Sequence, residues 1–150
     1  PAASVDLITA AQAFHWFDVG PARREFDRVL RPGGRVALVW NDRVAETDLN
    51  RALDALLAEF GGSGRAAQSA DDDRARAHDF LGPGRRQWSG PHSHHLDLAG
   101  LQALVFSRSY MPARDSAAGR AAQVHLGALF QQHAEQGHVR MDYRTVCLLG

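Results

Sequence analysis

A histidine set among aromatic side chains is the part of this sequence best suited to chemistry. His15 stands between Phe14 and Trp16, with Phe17 next, shortly after an apolar run. An imidazole titrates near neutral pH, so His15 can remove a proton from a bound molecule. The faces of aromatic rings attract cations. We interpret His15 as a candidate catalytic base beside walls for a cationic ligand. The alternative is structural, with His15 bonding the backbone of its own loop.

A strand, a helix and a second strand must position this loop. Val5 to Ala10 is apolar and of strand length, which is typical of a buried parallel strand. Asp18 and Pro21 favour a helix start, and Pro32-Gly33-Gly34 ends that helix and turns the chain. Arg35 to Trp40 is then a second apolar strand. The pattern predicts a βαβ unit.

The carboxyl ends of these two strands are where a ligand is expected. In open α/β sheets, ligands bind beyond the carboxyl ends of the parallel strands. The loops at those ends run over residues 10–16 and 40–43, and both carry side chains that can meet a cofactor or an acceptor.

The remainder of the chain predicts further helices and two more strands. Residues 61–86 are rich in Gly, Ser and Asp and favour a flexible surface loop, with at most one helical turn near residues 72–80. The other elements expected are a helix from Thr47 or Asp48 to Phe60, a strand over Gln87–Leu96, helices over Leu98–Ser107 and from Ser116 to Gln136, and a last strand over Val139–Leu149.

Composition excludes several classes of protein. The 17 basic and 17 acidic side chains give a net charge of zero, so nothing favours nucleic acid or an anionic membrane as a partner. The single cysteine, Cys147, excludes an intramolecular disulfide. His92 and His94 would share one face of a strand, but two histidines without further ligands do not make a metal site, and we expect none. The expected location is the cytoplasm.

Three segments resemble the class I S-adenosylmethionine-dependent methyltransferases, in particular the type 11 group that acts on small molecules. They are SVDLITAAQAFHWFD, RVLRPGG and RVALVWN, with SRSY and YRTVCLLG as weaker support. The resemblance implies an α/β fold, a partial Rossmann-like methyltransferase sheet of four strands with flanking helices. The implied order is first, second, fourth, third, with the last strand antiparallel. Residues 1–150 then correspond to the C-terminal portion of a single domain, without the family's glycine-rich loop.

The same resemblance implies roles for individual residues. S-adenosylmethionine is the implied cofactor, with Ala10, Ala11, Gln12 and Trp16 in contact with it and His15 as the catalytic base. The methyl acceptor is expected to meet Trp40, Asn41 and Tyr110, although core packing is an alternative for Trp40 and a helix corner for Tyr110.

Two functions of different class remain open. The first is a methyltransferase that transfers a methyl group to an O, N or C atom of a small molecule. The second is a non-catalytic half-domain that self-associates or pairs with another chain. A different nucleotide-binding sheet has only the βαβ pattern in its favour. In that family the strand that matches Val5 to Ala10 is internal, so the resemblance implies an open sheet edge here. We expect these residues to form a homodimer through that edge, to aggregate or to recruit another chain, unless residues 61–86 fold over it, and to bind the cofactor only weakly by themselves.

Overall fold

The computed structural model describes residues 1–66 and 70–150 of the chain, with side chains described outside residues 63–72. Besides a single 3-10 turn over Phe14–Trp16, it contains four strands and five helices in the described residues. In chain order these are β1 (Val5–Ala11), α1 (Val19–Val29), β2 (Leu30–Arg43), α2 (Asp48–Ala66), α3 (Ala70–Leu81), β3 (Arg86–Leu96), α4 (Leu98–Phe106), α5 (Ala117–His133) and β4 (Val139–Leu149).

The sheet has the strand order that the sequence predicts. Its order is β1-β2-β4-β3, and β1 runs parallel to β2. Val36 exchanges both backbone hydrogen bonds with Gly150, at 2.9 and 3.0 Å, which is the pattern of an antiparallel pair. The last strand is therefore antiparallel to its neighbour. The α/β fold and the four-stranded sheet are confirmed.

Helix α1 begins where its capping residue predicts, and β2 starts earlier than expected. The Asp18 side chain accepts from the Gly20 N–H at 3.3 Å. Strand β2 starts at Leu30, opposite Val5, and the pairing then jumps to Arg35 opposite Leu7. The residues between them bulge, with Gly33 at a φ of +82°. A Cβ at Gly34 would lie 2.8 Å from the end of the Leu30 side chain and 3.0 Å from the Arg31 carbonyl oxygen, so a larger residue there would require these groups to shift.

The chain divides into two compact units, each with its own core. The first unit takes the described residues of 1–42, 69–90 and 144–150. Its buried core consists of Ala10, Phe14, Val36, Leu38, Trp40, Ala77, Phe80 and Leu148. In each strand and helix of this unit, the residues on one side contribute to the core, and those on the opposite side lie at the surface.

The second unit takes the described residues of 43–68 and 91–143. Leucines of α2 form one wall of its core, because they recur every three or four residues and therefore lie on one face of the helix. The buried members are Leu49, Leu53, Leu56, Leu57, Leu96, Leu101, Val105, Leu126, Leu129, Val139, Met141 and Tyr143.

Most of the loop expected over residues 61–86 is helical instead. Helix α2 continues to Ala66 through a non-helical Gly62, and α3 covers Ala70–Leu81. Residues 67–69 of the expected loop lie outside the described residues. Ala77 and Phe80 of α3 are buried in the first unit, so burial on one helical face stabilises the segment. Within the part of the chain that the structure describes, no helix is both long and apolar enough to span a bilayer.

Candidate functional site

The backbone at the carboxyl end of β1 adopts a conformation that is rare for its residue type. Gln12 follows the last residue of β1 and has a φ of +51°. Its N–H donates to the Val39 carbonyl at 2.9 Å, which ties the residue to the neighbouring strand. Left-handed backbone at a non-glycine residue costs free energy and occurs often at functional sites.

Side chains from the end of β1, from β2 and from β4 meet at this edge. The Gln12 Nε2 donates to the Asn41 carbonyl oxygen at 3.1 Å, and the Thr145 hydroxyl donates to the Asn41 Oδ1 at 2.7 Å. Gln12 and Asn41 were both predicted as site residues, and the structure brings them together. Thr145 is a residue that sequence reasoning missed, because the register of β4 against β2 must be known to place it there.

The 3-10 turn after β1 presents His15 and Trp16 on a buried anchor. Phe14 is fully buried and makes edge contacts with Phe17 at 6.0 Å and Phe80 at 5.3 Å between ring centroids. Trp16 is 66% exposed, and its ring centroid lies 4.9 Å from that of the half-buried His15. Phe14 is thus part of the core and not a ligand wall.

His15 has the freedom that a catalytic base requires. In residues 1–66 and 70–150, the structure gives its imidazole a ring contact with Trp16 and no hydrogen bond. The structural alternative, in which His15 bonds its own loop, therefore has no contact to support it. Ala10 is buried in the core, and Ala11 is exposed beside Gln12.

The position of Trp40 argues against its predicted role in substrate binding. Its side chain is 6% exposed, and its indole Nε1 donates to the Asp73 Oδ2 at 3.0 Å. The Arg74 guanidinium lies 5.2 Å from the centre of the Trp40 ring and also pairs with Asp42. Trp40 packs in the core of the first unit because position 40 alternates inward with position 38 on β2.

Tyr110 does not join the other predicted residues in one unit. It belongs to the second unit, in the irregular segment after α4, where Arg108 Nη1 lies 3.3 Å from its hydroxyl. As for metals, the described side chains include no group of three or more that could hold an ion.

Known proteins resemble this chain in sequence, over part of its length or part of theirs. Residues 1–38 match the family model described as a methyltransferase domain. The uncharacterized methyltransferase Rv3342 of Mycobacterium tuberculosis is 32% identical over 150 residues, covering 97% of this chain and 58% of the relative. A methyltransferase-like protein of Schizosaccharomyces pombe, C25B8.10, is 55% identical over 40 residues, 27% of this chain and 16% of its own. This chain thus spans 58% of the length of its mycobacterial relatives.

Solved structures agree at the level of the fold. A protein of Anaeromyxobacter dehalogenans provisionally assigned as a type II methyltransferase superposes with a TM-score of 0.63 at 20% identity, covering all of this chain and 66% of that one. A protein of Anabaena variabilis, provisionally assigned as a methyltransferase from an antibiotic biosynthesis pathway, gives 0.53 at 16% identity, covering 98% and 67%. With the sheet order and the sequence relatives, these similarities show an α/β methyltransferase fold, similar to that of the class I S-adenosylmethionine-dependent methyltransferases.

Proposed function

We propose that this chain is part of an enzyme that transfers a methyl group from S-adenosylmethionine to an O, N or C atom of a small molecule. The observation that carries the proposal is the accessible His15–Trp16 turn at the carboxyl end of β1, next to Gln12 and Asn41. Ligands of open α/β sheets bind at this edge.

The residues at the edge suit the methionine end of that cofactor, which carries an ammonium and a carboxylate. The Gln12 Nε2 is used by Asn41, which leaves its Oε1 as an acceptor for an ammonium. The Asn41 Oδ1 is used by Thr145, which leaves its Nδ2 as a donor for a carboxylate. The two amides thus offer complementary groups.

When bound, the cofactor supplies a methyl group activated by a positively charged sulfur. Trp16 can attract that charge with its exposed indole face, an effect of about 0.5–1 kcal/mol at an exposed site. Such an interaction orients the methyl group, and alignment with the acceptor is the main requirement of an in-line displacement.

His15 can remove the proton that the acceptor loses during methyl transfer. As the acceptor atom forms its bond to the methyl carbon and the carbon–sulfur bond breaks, an O–H, N–H or C–H acceptor must lose a proton. The imidazole can take that proton, because it is half-buried, beside Trp16 and without a hydrogen bond in the described residues. His15 would then return the proton to solvent.

The test is methyl transfer by the full-length protein that contains this chain. Purified protein is incubated with S-adenosylmethionine carrying a labelled methyl group and a panel of small alcohols, phenols, amines and activated carbon acids. We expect label in at least one acceptor and the His15→Gln variant to be at least about 100-fold slower. Transfer at the same rate by both proteins would contradict the role of His15. Tight cofactor binding without any transfer would contradict the proposal that the protein is an enzyme.

A further inference from the structure

Two arginines of the second unit, Arg43 and Arg108, carry more positive charge than the single carboxylate of Asp54 balances. Arg43 is the last residue of β2, and its side chain is 16% exposed. It pairs through Nη2 with Asp54. Burial lowers the pKa of Arg43, and repulsion from the half-buried Arg108 lowers it further. Among the described residues, Arg43 thus has one carboxylate partner and Arg108 has none.

Several N–H groups of these two arginines have no hydrogen-bond acceptor among the described residues. In the described part of the chain, Arg43 Nε, Arg43 Nη1 and Arg108 Nε are buried without a hydrogen-bond partner. Buried N–H groups of a charged side chain are costly when left unpaired, and a native protein seldom keeps three of them together without a use. The arrangement is therefore a set of donors that lacks its acceptor.

One tyrosine hydroxyl lies beside these arginines. Arg108 Nη1 donates to the Tyr110 hydroxyl at 3.3 Å, so that hydroxyl keeps its own proton as a donor. The hydroxyl of the buried Tyr143 donates to the Met141 Sδ at 3.8 Å and belongs to the core of the second unit. The described residues provide no acceptor for Arg43 Nε, Arg43 Nη1 or Arg108 Nε.

We propose that Arg43 and Arg108, which we call the arginine pair, bind a carboxylate of the methyl acceptor. The planar guanidinium fork matches the two oxygens of a carboxylate. The excess of one positive charge over Asp54 is neutralised by one carboxylate, whereas a phosphate dianion would leave the cluster negative.

Access requires only a local change. The unpaired N–H atoms are shielded from water, so a ligand must shift side chains to reach them. Arg108 and Tyr110 lie between α4 and α5 in a segment of turns and bends, without the backbone ladder of a helix or strand to hold them. That the ligand is the acceptor rests on the proposed methyltransferase function. Carboxylate binding itself does not.

The experiment follows the arginine Nε–Hε NMR signals of the protein during titration with sodium acetate, succinate and benzoate. Sodium chloride at equal ionic strength, sodium phosphate and S-adenosylmethionine are the comparison titrations. We expect saturable shifts of the Arg43 and Arg108 signals with the carboxylates only. Arg108→Gln should weaken that binding about 10-fold or more, whereas Arg114→Gln, which removes an exposed arginine of the same unit, should leave it unchanged.

Stability separates a ligand site from a structural role. Because Arg108 repels Arg43, Arg108→Gln should unfold at an equal or higher temperature than the unmodified protein when no ligand is present. Should that variant fail to fold, Arg108→Lys keeps the charge without the fork and should fold with weakened carboxylate binding.

Four results would overturn the proposal: no saturable shift with any carboxylate, equal loss in Arg114→Gln, preference for phosphate, or binding of S-adenosylmethionine at the pair. If Arg108→Gln folds but unfolds at a clearly lower temperature, or if Arg108→Lys fails to fold or binds carboxylates as tightly as the unmodified protein, Arg108 has a structural role and the proposal is also overturned. The titrations measure no methyl transfer, so their failure leaves the proposed function standing. Failure of the transfer assay likewise leaves carboxylate binding intact.

Discussion

His15 is placed so that its chemistry can be changed without loss of the fold. The turn that carries it is anchored by the fully buried Phe14, while the imidazole is half-buried and has no hydrogen bond in the described residues. The proposed catalytic role and the anchoring thus belong to different side chains of one 3-10 turn. A substitution at His15 therefore reports on chemistry more than on stability.

We expect His15→Ala in the full-length protein to lower turnover by about 10²- to 10⁴-fold, the usual contribution of a general base. The dissociation constant for S-adenosylmethionine should change little, because the amides of Gln12 and Asn41 remain. Steady-state kinetics and calorimetric titration measure the two quantities. His94→Ala, which removes an exposed imidazole of β3, is the control. Unchanged turnover at saturating substrate would assign His15 to structure.

Gln12 combines strained backbone with a bonded side chain, and two variants separate these features. Gln12→Gly and Gln12→Ala both lose the hydrogen bond to Asn41, but only alanine keeps the cost of a φ of +51°. We expect the glycine variant to be about 1 kcal/mol more stable than the alanine variant in urea unfolding. Equal stabilities would show that the left-handed backbone at this position is relaxed.

The limits of sequence reasoning are visible at single residues of this edge. Gln12 and Asn41 could be predicted because parallel strands bring their carboxyl ends to one edge. Both roles stay open for Trp40 at the level of sequence, because an aromatic residue next to a strand end suits a ligand wall and a core equally well and its partner Asp73 is distant in sequence. The Thr145 contact depends on an antiparallel register that no local pattern specifies.

Helix α3 stabilises the first unit through one buried polar contact. Asp73 is 7% exposed, and it accepts the indole proton of Trp40 at 3.0 Å. Ala77 and Phe80 follow on the same helical face and are also buried. The helix therefore depends on this contact as well as on its apolar residues.

Replacing Asp73 with alanine should lower the free energy of unfolding by about 1–3 kcal/mol, because the indole N–H would then be buried without an acceptor. The same change in a Trp40→Phe background should cost less, since that N–H is already gone. Asp79→Ala, at an exposed position of α3, is the control for helix propensity. Denaturant unfolding of the unmodified protein, the two single variants, the double variant and the control measures these effects. Equal effects of Asp73→Ala in both backgrounds would contradict the contact.

The strands and helices also show which local sequence patterns are strong enough to predict an element. The strands and capped helices could be predicted because their apolar periods and capping residues are strong, as at Asp18, Asp97 and Ser116. Only a short helical turn near residues 72–80 was predicted where the structure has a helix over Ala70–Leu81, because neighbouring glycines and a run of aspartates conceal a weak apolar face. The spacing of Asp73, Ala77 and Phe80 was the signal present, but it contains only one large apolar residue.

Among the strands that the structure describes, β1 is the terminal strand of the sheet order and has one neighbour, β2. Leu7 on this strand is 53% exposed. Unpaired backbone groups at an apolar edge recruit other strands. We expect the 150-residue chain to self-associate as its concentration rises, and Leu7→Lys to suppress this association. Light scattering over a concentration series tests both, and a strictly monomeric chain at every concentration would contradict the prediction.

The most direct test of the account is where S-adenosylmethionine binds on this chain. Backbone amide NMR signals are followed while the cofactor is added to millimolar concentration. We predict weak but saturable shifts centred on Ala11, Gln12, His15, Trp16 and Asn41, the residues at the carboxyl edge of β1 and β2. Saturable shifts confined to the second unit, or none at these residues, would contradict the assignment of this edge as the cofactor site.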